Sequence, residues 1–206
     1  MMTLFERQSE RASAFAKRLA KDEGGATIME FGLVSVVFIT MMMGMFDIGQ
    51  MTYTQAVLNG AVQEAARTST LETGDAAAAD ARLLELVSRV APGATISTER
   101  KSYFDFPNVE RAEPYGDTDG DGLCNNGELY TDENNNGSWD EDVGVQGNGQ
   151  ASDVVIYRVE MEYEPLFPIP FSSEASSTRK LSSVAVKRNQ PFAQQVGPGN
   201  STGVCT

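Results

Sequence analysis

The stretch "DTDGDGLCNNGE", residues 117–128, sets carboxylates at its first, third and fifth positions, glycine at the sixth and glutamate at the twelfth. A calcium loop needs this set: hard oxygen ligands at 1, 3 and 5, a glycine at 6 for a sharp turn, a backbone carbonyl at 7 and a bidentate acid at 12. Asp117, Asp119, Asp121, Gly122, Leu123 through its carbonyl, and Glu128 fill the template without a gap. A second copy starts fifteen residues later as "DENNNGSWDEDV", with Asp132, Asn134, Asn136, Gly137, Ser138 through its carbonyl, and Asp140. Its twelfth position is Val143, so Glu141 or Asp142 would have to supply the closing carboxylate. Neither loop is flanked by the helical pattern of a sensor domain, which points to structural calcium of the extracellular kind. The competing reading is a solvated acidic linker, since without a cation these carboxylates repel one another.

The acid is concentrated there. Residues 110–142 hold eleven Asp and Glu against Arg111 alone, and so carry ten of the thirteen net negative charges of the 206-residue chain. That balance excludes nucleic acid as a partner, because phosphate neutralisation needs a basic face. Histidine is absent. With the commonest general base and transition-metal ligand missing, and no nucleophile signature beside the carboxylates, the chain is expected not to be an enzyme. The two cysteines, Cys124 and Cys205, form no CxxC pair. They read either as one disulfide in an oxidising compartment, closing a loop of about 80 residues worth roughly 4 to 5 kcal/mol, or as two free thiols.

The elements that must position these residues begin with a polar, weakly basic stretch over residues 1–25, containing Arg7, Arg11, Lys17, Arg18 and Lys21. From Ala26 to Phe46 the only ionisable residue is Glu30, and this run, roughly 31 Å long as a helix, is enough to cross a bilayer once. Basic residues before it and acid after it place residues 1–25 in the cytoplasm and the remainder outside. Three- and four-residue steps through Ala56, Asn59, Gly60, Gln63, Ala66 and Arg67, with Val57, Ala61, Glu64 and Ala65 beside them, continue the helix to about residue 69 as a stalk. A second helix is expected over 74–93, with Asp75 as cap, Leu83, Leu84, Leu86, Val87 and Val90 on one side, and Pro92-Gly93 as its stop. Strands are expected at 94–106, 152–165 and 179–189. The middle one alternates Val155, Tyr157, Val159, Met161 and Tyr163 with Ile156, Arg158, Glu160 and Glu162. "LFPIPF" at 166–171 reads as an apolar connection or contact patch. The fold class is therefore α+β: a long transmembrane-plus-stalk helix, a short second helix, and a small antiparallel sheet of about three strands with the Asp-rich insert at 110–145.

The residues "DEGGATIMEFGLV", with an acid at the helix exit (Asp47) and the continuation "AVQEAAR", resemble the TadE-like pseudopilins of the tight adherence system. The resemblance covers about residues 20–70. It implies that a prepilin peptidase cuts on the cytoplasmic side after Gly25, so that 1–25 is a leader and Ala26 the mature N-terminus. It also implies that 26–70 is the membrane and stalk helix and 71–206 a periplasmic or extracellular domain. Glu30, one turn from the new ammonium group, and Phe31 after it would then serve assembly, with the carboxylate paired to the ammonium of its own chain or a neighbour. The implied partners are the peptidase, the membrane, other pilin-like subunits and pilus assembly proteins, at the bacterial inner membrane, in a Flp-type adhesion pilus. The rival reading is an uncleaved single-pass anchor displaying a calcium-dependent adhesive domain.

Overall fold

The computed structural model describes residues 15, 17, 24–69, 75–167 and 178–206. Most of the leader, the boundary expected near residue 70, and positions 168–171 of "LFPIPF" lie outside the described residues. Two compact units are present: one takes in residues up to Asp47 with 167–171, the other Ile48–Leu166 and Ser172–Thr206.

Helix α1 runs Gly24–Ser69, so both glycines belong to its first turn rather than standing before it. A glycine costs least there, where amide groups have no intrahelical partner to lose. Through the first unit its side chains are almost wholly uncovered: Ile28, Phe31, Leu33, Val34, Val37, Phe38 and Met41 all lie open. Ser35 and Thr40 donate their hydroxyls to the carbonyls of Gly32 and Val36 at 2.9 and 2.8 Å. Polar groups satisfied by their own helix present no unmet donor to an apolar surrounding. Among the described residues this is the one helix long and apolar enough to cross a membrane.

In the second unit α1 becomes a core helix, burying Thr54, Leu58, Ala61, Val62, Ala65 and Ala66. The buried stripe is offset from the face read in the sequence, with Leu58 and Val62 in it and Glu64 outside, because small residues on all sides leave little contrast to read. Helix α2 (Ala76–Ser88) starts where Asp75 Oδ1 accepts from the amides of Ala77 and Ala78 at 2.9 and 3.2 Å. Such a cap satisfies orphan donors at the helix start. Ala79, Leu83 and Val87 face inward.

Among the described residues the main sheet is antiparallel and has four strands, one more than the three segments expected. Strands β1 (Thr95–Tyr103), β4 (Val154–Tyr163) and β5 (Arg179–Arg188) match the expected segments, and the two-residue β3 (Val145–Gln146) extends the β1 edge, giving the order β3-β1-β4-β5. Strands β2 (Leu129–Asp132) and β6 (Ser201–Val204) form a second, two-stranded sheet that the sequence pattern did not suggest. On β4, Tyr157, Val159, Met161 and Tyr163 point into one core with Leu58, Val62, Leu83, Val87 and Ala185. Arg158, Glu160 and Glu162 occupy the opposite face, the alternation a half-buried strand requires.

One polar group fixes α2 to the sheet. Asp80 accepts from Arg100 at 2.5 and 2.8 Å and from the Tyr157 hydroxyl at 2.5 Å, while the Arg100 guanidinium lies 4.0 Å from the Tyr157 ring centre. Burial alone would raise the Asp80 carboxyl, but the bonds from Arg100 and Tyr157 outweigh it and hold it below the ordinary range. Because the folded value is below the unfolded one, this stabilisation is complete above about pH 4 and lost as pH falls through the folded value. Asp80→Asn should cost about 1.5 to 3 kcal/mol at pH 7. The loss should shrink in acid, read as converging melting midpoints of wild type and variant below pH 4.

Candidate functional site

The chemistry-bearing residues between β1 and β4 fold as two loops built on one plan. In the first, Asp117 accepts from the amides of Gly120 and Gly122 at 2.6 and 3.1 Å. Asp119 accepts from Asp121 at 3.3 Å, and Asp121 from Leu123 at 2.8 Å. In the second, Asp132 accepts from Asn136 and Gly137 at 3.2 and 2.8 Å, Asn134 from Asn136 at 3.1 Å, and Asn136 from Ser138 at 2.7 Å. The third and fifth positions thus use their side chains alike, and the first positions share the bond to the sixth-position glycine. The sixth-position glycines, Gly122 and Gly137, have φ of +79° and +83°. That left-handed backbone is what the template's glycine supplies.

The plan extends to a buried acid that accepts from the same two amide positions in each loop. In the first loop Glu128 Oε1 accepts from the second-position amide, Thr118, at 2.5 Å, and Oε2 from the ninth-position amide, Asn125, at 3.4 Å. In the second, the acid in that place is neither Glu141 nor Asp142 but Glu113, nineteen residues before Asp132. Its Oε1 accepts from Glu133 at 2.7 Å and Asn134 at 3.3 Å, and its Oε2 from Asp140 at 3.2 Å, again the second- and ninth-position amides. Backbone pairing brings it there, through Glu113 N to Asp140 O at 2.9 Å, Val143 N to Arg111 O at 2.9 Å and Thr131 N to Pro114 O at 2.9 Å. Asp142 instead faces β1, accepting from Lys101 Nζ at 2.8 Å and the Tyr103 hydroxyl at 3.1 Å, and Glu141 is exposed. Burial and the Asp142 bond together push the Tyr103 hydroxyl up to about 12. A template read along the chain has no means of finding an acid supplied from upstream.

Charge is the unusual property of this region. Glu113, Glu128 and Asp132 are 1%, 3% and 5% exposed, and among the described residues no ion pair joins any of them to a basic side chain. Burial raises the Glu113 carboxyl above its ordinary value, the nearby Asp132 charge adds to this, and the backbone amides of Glu133, Asn134 and Asp140 oppose it. Asp117, Asp119 and Glu128 each bring a carboxylate oxygen within 4.8 Å of the other two. Asp121 is turned toward the Asn125 side chain at 2.7 Å and stands outside that group, while Leu123 is exposed. In the second loop Asp140 accepts from the Asn134 and Asn136 side chains at 2.7 and 2.5 Å. Cys124, at the eighth position of the first loop, is bonded to Cys205, with their Cα atoms 5.3 Å apart.

At the other end of the chain, Gly25 and Ala26 lie in the first turn of α1, and Glu30 and Phe31 follow it, both exposed. The family model described as TadE-like protein matches residues 25–67, which covers all four and nearly the whole of α1. The loops and the sheet lie beyond the matched segment. No curated protein and no solved structure matches the chain.

Proposed function

We propose, from a TadE-like helix that carries Gly25, Ala26 and Glu30 on an uncovered apolar surface, that this pilin-like, membrane-anchored chain is a minor pilin or pseudopilin. It acts in the assembly of a Flp-type adhesion pilus and is not an enzyme. A prepilin peptidase removes the leader after Gly25 at the inner membrane, and α1 then packs laterally against the helices of other pilin-like subunits and assembly proteins. The observation that carries this is the pairing of a family match with a helix whose apolar side chains from Ile28 to Met41 lie open among the described residues. Such a surface is stable only in lipid or against other helices.

The C-terminal domain, on the periplasmic or extracellular side, holds structural calcium. The first ion is held by the converging Asp117, Asp119 and Glu128, with Asp121, once turned from Asn125, and the Leu123 carbonyl completing the set. The second is held by Asp132, Asn134, Asn136, the Ser138 carbonyl and Glu113, with Asp140 at the ninth position where a bridging water is usual. Three buried carboxylates with no basic partner among the described residues support this, since a buried charge without a counter-charge costs several kcal/mol. The same loops favour a second reading, an uncleaved anchor that displays a calcium-dependent adhesive domain. Complementation of a deletion strain separates the two. If the pilin reading is right, the deletion loses surface pili, which return with wild type and not with Glu30→Ala; if the anchor reading is right, pili persist in the deletion and adherence returns with Glu30→Ala.

A further inference from the structure

The C-terminal segment is built into both loops. Strand β2 is four residues long, follows directly on Glu128 and ends at Asp132, so it joins the last ligand position of one loop to the first of the other. Strand β6 pairs with it along its whole length, from Leu129 opposite Val204 to Asp132 opposite Ser201. Beyond the strand the contacts continue on both sides. Cys205 N donates to Glu128 O at 2.8 Å, Gly127 N to Cys205 O at 3.1 Å, and Gly199 N to Glu133 O at 2.7 Å. The approach is close enough that a Cβ at Gly203 would strike the Tyr130 ring, and one at Gly199 would lie 2.6 Å from the Asp132 carbonyl. Residues 199–205 thus hold the ends of both loops in register, and the Cys124–Cys205 bond fastens that segment to the first of them.

We propose that this disulfide is a redox control on calcium occupancy at both loops, an inference that rests on the calcium reading above. With the bond intact, the loops are ordered before the ion arrives, so binding need not supply their ordering. A dithiol that breaks it delivers two electrons and two protons, converts the Sγ–Sγ bond to two thiols and closes to its own disulfide. The released tail frees β6, β2 loses its partner strand, and each loop must then be ordered by the ion itself. Affinity therefore falls at both loops, including the second, which contains no cysteine.

The test uses the full chain in detergent. Calcium is titrated by calorimetry into the oxidised chain and into a Cys124→Ala/Cys205→Ala variant. Terbium luminescence sensitised by Trp139, the single tryptophan and the eighth residue of the second loop, reports that loop separately. The expected result is a loss of affinity of tenfold or more at both loops in the variant. By reciprocity, saturating calcium should shift the dithiol–disulfide midpoint of the native chain to more reducing potential, by about 30 mV for each tenfold. Because the midpoint is read on the native chain, a variant that fails to fold still leaves the inference testable. Equal affinities in the two forms, or midpoints that coincide with calcium and with chelator, would overturn it while leaving the calcium reading intact. An oxidised chain that takes up no calcium overturns the calcium reading and this inference together.

Discussion

Chelation should lower the melting midpoint of the C-terminal domain by about 10 °C or more relative to saturating calcium, with Glu113→Gln and Glu128→Gln each removing roughly half of that gain. An ion bound only by the folded state stabilises it by about 2.7 kcal/mol at a hundredfold excess over its dissociation constant, so two loops contribute about 5 kcal/mol. At roughly 2 to 4 °C per kcal/mol for a domain of this size, the shift is large enough to read without ambiguity. Glu113→Gln has a second signature. Both Glu113 oxygens accept from buried amides and glutamine offers only one acceptor, so the variant should also melt lower than wild type in chelator, by the cost of one unpaired buried amide (about 1 to 3 kcal/mol), besides losing the calcium gain. Glu141→Gln should change neither, because Glu141 lies exposed and outside the closing position. A domain whose midpoint ignores calcium would remove the ion from the account. A calcium response that survives Glu113→Gln but not Glu141→Gln would restore the reading made along the chain.

The second large effect concerns Glu30. Its carboxylate sits near the start of the apolar run, where an unpaired acid costs less than the roughly 2.5 to 3.5 kcal/mol of a bilayer centre but still disfavours insertion. Glu30→Ala should therefore enter the membrane at least as well as wild type, with equal chain in the membrane fraction. Assembly should nevertheless fail if, as proposed, the Glu30 carboxylate pairs with the new N-terminal ammonium of its own chain or a neighbour and so sets helix register. Surface pili should drop at least tenfold, whereas Glu160→Ala, on the open face of the sheet, should leave them unchanged. Full piliation with Glu30→Ala would mean that the carboxylate does not set subunit packing.

How much of this was legible in the sequence differs by region, for physical reasons. Alternation on β4 and the cap and apolar spacing of α2 are local patterns, and both elements form where those patterns lie. The apolar run and "GGATIMEF" are also local, and the family match falls on them. What stayed hidden was made by partners distant in the chain. Leu129–Asp132 has too few residues to show a period and becomes a strand because Ser201–Val204 lies against it. Glu113 reaches the second loop only through pairing of its segment with Asp140 and Thr131. The spacing template found the turn-forming positions of both loops, since those bonds span two to five residues. It could not point to Glu113, which meets the second- and ninth-position amides in space rather than by a count along the chain.

The most direct test of the account is the intact mass of the full-length protein isolated from membranes of a strain that retains its prepilin peptidase. The expected product is a mature chain that begins at Ala26, lacks residues 1–25 and returns to full length when the peptidase gene is deleted. A chain that keeps its leader with the peptidase present would contradict it.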